Sequence, residues 1–116
     1  MKINFEKILQ EQPNLTPFGI EGRKTIATPE MFDEDYRNQI ETCIAWLSSR
    51  STQKSINRNV SSYSIKHMIE RETKTYVANG CLIAAVIQLG IPYRRIGKSP
   101  NICIAIGMKE LYRYHN

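Results

Sequence analysis

One chemistry-bearing group in the chain is cationic: Arg94, Arg95 and Lys98 fall in one short stretch. Guanidinium and ammonium groups gathered in this way take polyanions through charge-assisted hydrogen bonds. The charge around them agrees. Residues 1–49 carry five basic and eight acidic side chains, a net −3, whereas residues 50–116 carry eleven basic and three acidic, a net +8. The formal total of +5 over 116 residues conceals that division.

Catalytic residue types are present but not arranged for catalysis. Neither His67 nor His115 has a sequence-local arrangement of Ser, Cys or Asp that suggests a nucleophilic triad. Glu30, Asp33, Glu34 and Asp35 have the composition of a metal-assisted nuclease site. They sit, however, in the first turn of a predicted helix, where carboxylates complement the helix dipole. Gly97-Lys98-Ser99 matches the end of a P-loop, but the earlier glycine position is Pro92, and Pro100 stops a following helix. Cys43, Cys81 and Cys103 are isolated in apolar stretches, without CxxC or HxxxH spacing, and read as buried thiols of a reducing cytoplasm. The expectation is no catalytic residue, no metal and no cofactor. Tyr63, Tyr76, Tyr93 and Tyr112 are spread through the basic half, with Tyr114 close by. Aromatic rings among cations could stack single-stranded bases, but ordinary core edges with the hydroxyl reaching water are the expected reading.

The elements that would position these residues follow from period and punctuation. Phe5, Ile8 and Leu9 suit a short helix over 3–12, ended by Pro13. Residues 13–28 form a connector rich in Pro and Gly. Thr28-Pro29-Glu30 starts a long helix over 29–49 with an apolar stripe from Phe32 to Leu47. Residues 48–62, with Arg50, Lys54 and Arg58, read as a basic loop with a short strand near Ile56 to Val60. A second helix over 62–74 buries Ile65, Met68 and Ile69 and turns Lys66, Glu70, Arg71 and Lys74 outward. After a tight turn, Asn79 caps a third helix over 80–89, with Gly90 at its left-handed end and Pro92 beyond. Asn79-Gly80 is also a hairpin signal, but Cys81 to Leu89 does not alternate. Tyr93 to Ile96 and Ile102 to Ile106 form a hairpin across the turn-rich 97–101. The expected class is mainly α with a small β-hairpin (α+β). Its parts are an N-terminal arm and connector (1–27), a central domain (28–107) and a C-terminal tail or short helix (108–116).

No apolar run approaches the length of a membrane span, and Ile3-Asn4-Phe5-Glu6 after Met1-Lys2 is not a secretory signal. A cytoplasmic location is expected.

The order helix, basic loop, helix, turn, helix, hairpin resembles the winged helix-turn-helix superfamily over residues 28–107. The segments carrying the resemblance are 62–74, 75–78, 79–90 and 93–106. The stretch from Ser61-Ser62-Tyr63 through Pro100-Asn101-Ile102 resembles segments of small proteins of bacterial phages and mobile elements. The resemblance implies binding of double-stranded DNA, with the third helix in the major groove and the wing on the backbone. On that reading Arg94, Arg95 and Lys98 contact phosphates from the wing, Ser62, Lys66 and Tyr76 add contacts at the helix and turn edges, and Asn79 and Gln88 touch base edges. The third helix departs from the superfamily's habit: between Asn79 and Gly90 it has no charged residue, Ser or Thr. The expected function is phosphate-dominated, non-enzymatic DNA binding by a regulator or replication and maintenance accessory of a mobile element. The alternative is a protein-interaction module, such as a phage-type inhibitor or adaptor, that docks a partner on Gly80, Ala84 and Gln88. A homodimer through the long helix or the arm is compatible with both.

Overall fold

Asn4 and Asp33 open the first two helices by the same device. In the computed structural model, which describes residues 2–112, the Asn4 side chain accepts from the Lys7 amide at the start of α1 (Phe5–Glu11). Asp33 accepts from the Tyr36 amide at the start of α2 (Glu34–Ser48). Each satisfies an amide that has no partner within its helix. The long helix therefore starts five residues later than Thr28-Pro29 suggests. Residues Pro29–Met31 form a separate 3-10 turn, and the chain breaks at Phe32, which is fully buried and packs on the Phe5 ring at 5.2 Å. Burying Phe32 fixes the break, and Asp33 caps the helix beyond it.

The connector contains a hairpin that its composition did not announce. Strands β1 (Leu15–Thr16) and β2 (Gly19–Ile20) pair antiparallel around Pro17-Phe18. Gly19 has a φ of 134°, open to glycine and rarely to other residues. Leu15 and Ile20 are buried in the same core cluster as Phe5 and Ile8. The expected arm is thus part of the one core, because its apolar residues have nowhere else to be buried.

Helices α3 (Ser62–Thr73) and α4 (Asn79–Leu89) lie close to the elements expected from the sequence. Ser61 caps α3, and Lys74 ends it in the left-handed conformation. The residue preceding α4 is Ala78, not Asn79, and the Ala78 amide donates to the buried Gln39 side chain of α2. Gly90 ends α4 in the left-handed region, its amide bonding to Ile87 and that of Ile91 to Val86. Every residue from Asn79 to Ile87 is buried. A helix apolar on all sides belongs inside a core, and α4 is covered by α2, by α3, by α1 and by the β1–β2 hairpin.

Strands β3 (Tyr93–Arg95) and β4 (Ile102–Ile104) pair antiparallel, with Arg94 opposite Cys103 and Arg95 opposite Ile102. Segment 51–61 forms no strand. It covers the free edge of β4 with isolated bonds: the Gln53 amide to Ala105, the Asn57 amide to Ile104, and the Asn57 side chain to Ile106. Helix α5 (Met108–Leu111) closes the described chain, and Arg113, Tyr114 and His115 lie outside it. The fold is mainly helical, with two small antiparallel hairpins.

One side chain joins α3 to the second hairpin. Ser62 is fully buried, and its Oγ accepts from the Ile102 amide at 3.0 Å. Ser62→Ala leaves that buried amide without its acceptor, so the variant should lose about 1–3 kcal/mol of stability, read from urea unfolding.

Candidate nucleic-acid interface

One groove runs between segment 56–61, the first turn of α3 and β3. It has a volume of about 550 Å³ and is lined by Arg58, Asn59, Ser61, Ser64, Arg94 and Arg95 among others; no carboxylate lines it. All three arginines are exposed. Two come from β3, fixed by its register with β4. The third, Arg58, comes directly after Asn57, whose three hydrogen bonds fasten the loop: its amide to Ile104, its side-chain amide to Ile106, and its Oδ1 accepting from Asn59. Lys98 stands exposed on the turn beyond β3, beside Gly97 at a φ of 50°. Arg95 also donates to the Ser99 carbonyl at 3.1 Å, which steadies the turn. Arg58, Arg94 and Arg95 thus border one open groove, and guanidinium groups bind phosphates by forked pairs of hydrogen bonds.

The remaining expected contact residues are placed differently. Ser62 is buried and committed to Ile102. Lys66 is buried rather than outward, paired with Glu70 at 3.0 Å. Gln88 is held by the N-terminal segment, accepting from the Asn4 amide and donating to the Lys2 carbonyl. Asn79 is buried, and its side-chain nitrogen donates to Asn101 at 2.9 Å. Gly80 and Ala84 are fully covered, and the Gly80 amide donates to the Pro17 carbonyl. At Gly80 the small face expected to receive DNA or a partner is met by this chain's own β1–β2 hairpin, through Thr16 and Pro17, and Ala84 is fully buried in the core. Only Tyr76 joins the wing cations in being exposed. Arg50, expected in the basic loop, is buried with its guanidinium 3.3 Å from the Trp46 ring centre and in an ion pair with Glu72.

Arg58 is the groove residue that spacing alone did not single out. Its signal was local: a cation in a Ser- and Asn-rich loop just before a helix cap. Phe18 gave a weaker signal, an aromatic between Pro17 and Gly19 in a connector, and it is two-thirds exposed.

Residues with catalytic character have structural partners. Burial pushes the Glu70 carboxyl up, but the Val77 amide, the Lys66 amine and His67 overcome this and hold it below the ordinary value. Glu70 thereby joins α3 to the turn before α4. Because its folded pKa lies below the unfolded value of about 4.5, this stabilisation is complete above that pH and is lost as pH falls through the folded value. Glu70→Gln should cost about 1–3 kcal/mol at neutral pH and flatten the acid side of the Tm–pH curve. The Tyr93 hydroxyl donates to Glu11 at 2.6 Å. Burial first, and then that carboxylate, push its pKa up to about 12. Tyr93 ties β3 to α1 and is not a free ring. Cys43, Cys81 and Cys103 are free and buried, with the Cys43 and Cys81 thiols pushed up by burial. Among the described residues no group of three or more His, Cys, Asp and Glu could hold a metal ion, and no helix is long and apolar enough to cross a membrane.

Compared with family models, with curated proteins and with solved structures, the chain matches none.

Proposed function

We propose that this protein binds nucleic acid without enzymatic activity, through phosphate contacts made by Arg58, Arg94, Arg95 and Lys98. The observation that carries the reading is the groove of about 550 Å³ with three exposed arginines and no carboxylate in its lining. In this reading the arrangement is a variant of the winged helix: α2, α3 and α4 are its three helices and β3–β4 its wing. The helix that would enter a major groove in that superfamily is here a core element, so base readout through α4 plays no part. Affinity then comes from charge and counterion release, which is largely independent of sequence and steeply dependent on salt.

The rival reading, a partner docked on Gly80 and Ala84, loses the observation that motivated it, since both residues are covered from within the chain. The test is a binding titration with labelled oligonucleotides at several salt concentrations, comparing wild type with Arg94→Ala/Arg95→Ala. Weakened binding with a shallower salt dependence in the variant supports the proposal. Unchanged binding rejects it.

A further inference from the structure

Tyr63, Tyr76 and Phe18 are 52%, 63% and 67% exposed and come from α3, the α3–α4 turn and the β1–β2 turn. They border a single hollow of about 370 Å³ whose other walls include Lys66, Asn79 and Asn101. Three large rings left in water by three separate elements, around one concavity, have the character of a recognition surface rather than of scattered exposure. We propose that this hollow takes an unpaired base of a single-stranded nucleic acid, stacked on Tyr76 and Tyr63, while the strand's phosphates lie in the arginine groove. The inference rests on the phosphate-binding reading above.

The two features adjoin. Ser61 and Ser64 line the groove, and Tyr63 and Lys66 line the hollow, so both open on the first turns of α3. The turn joining β3 to β4 also contributes to both, through Ile96 and Gly97 on one side and Pro100 and Asn101 on the other. A strand leaving the groove across the start of α3 meets the hollow next.

The chemistry of the walls selects the occupant. The Lys66 amine lies 4.9 Å from the centre of the Tyr76 ring and 5.6 Å from that of Tyr63. It already supplies the cation these rings would attract, which disfavours a quaternary ammonium ligand. A flat, neutral ring tethered to phosphates fits both the aromatic walls and the positive surroundings. His67 meets the Tyr63 ring edge-on at 4.6 Å and holds its orientation. The floor is polar: Asn79 donates to Asn101, and its Oδ1 has no hydrogen-bond partner among the described residues. Stacking with so few free polar groups tolerates any base.

The test compares three labelled probes: a short single strand, its abasic counterpart of equal length and charge, and the corresponding duplex. Wild type should bind the strand with bases about 10-fold or more tighter than the abasic strand. Tyr76→Ala should remove that gap and leave abasic binding unchanged. Phe18→Ala should narrow it, and a 2-aminopurine in the strand should be quenched by wild type and not by Tyr76→Ala. Equal, salt-dependent affinity for the two single strands overturns the base pocket and leaves the phosphate groove standing. A duplex bound tighter than the strand also overturns it. Absence of binding to all three probes rejects the groove and the pocket together. Both variants change exposed side chains, and a wild-type Tm confirms that they fold.

Discussion

Replacing Gly80 by alanine should lower stability by about 3 kcal/mol or more, with a fall in Tm on the order of 10–20 °C. A Cβ at this position would stand 1.8 Å from the Thr16 carbonyl oxygen and 2.6 Å from the Pro17 carbonyl carbon. Both contacts are backbone, so no side chain can swing aside. The hairpin cannot retreat cheaply either. Leu15 and Ile20 are buried beneath it, and the Gly80 amide donates to Pro17 at 2.9 Å. Moving the hairpin off α4 would open a gap in the core and break that bond together. Gly22→Ala is the control: a Cβ there meets nothing within 4 Å, and the change should stay within about 0.5 kcal/mol of wild type. Thermal unfolding of the two variants separates a close-packing requirement at Gly80 from a general effect of removing glycine.

The second large effect is expected in binding and not in stability. On the proposed reading, Arg94→Ala/Arg95→Ala should weaken affinity for nucleic acid on the order of 100-fold at physiological salt, since each change would delete a charge-assisted phosphate contact. Both side chains are exposed, so Tm should hardly move. Lys66→Ala is expected to behave in the opposite way. Its amine is buried against Glu70 and two tyrosine rings, so its loss should lower Tm and leave the salt dependence of binding as it was. The pair of results distinguishes cations that serve the groove from a cation that serves the core.

That contrast also marks how far the sequence could be read. The α3, α4 and second-hairpin positions were legible because period, caps and turn residues agree there: Ile65, Met68 and Ile69 on one face, Gly90 after the last apolar turn, Gly97 between two β-prone runs. Charge drew attention to the second hairpin, where two of the three groove arginines stand. What was not legible was which polar residues were already spent. Ser62, Lys66, Asn79 and Gln88 all find partners distant in sequence or across a helix turn, and nothing local to Gln88 announces Asn4 and Lys2. The same holds for the small face of α4. Gly80 and Ala84 signal a close approach, but the group that approaches Gly80 is a hairpin whose two-residue strands are too short to show alternation in sequence. Tertiary contact, not propensity, decided each of these.

The acidic cluster shows a simpler case. Its resemblance to a metal site dissolves once Asp33 is seen as the cap of α2, with Glu34 and Asp35 in the first turn, where the helix dipole favours them. The break at Phe32 moved the helix start without changing that logic.

Arg58, Arg94 and Arg95, helped by Lys98, are proposed to hold phosphates in one groove. The most direct measurement is the slope of log K against log salt for wild type and for Arg58→Ala/Arg94→Ala/Arg95→Ala. About four phosphate contacts give wild type a slope of roughly −3, and the variant, left with Lys98, should fall to roughly −1. An identical slope in the two proteins, or binding indifferent to salt in the wild type, would contradict the account.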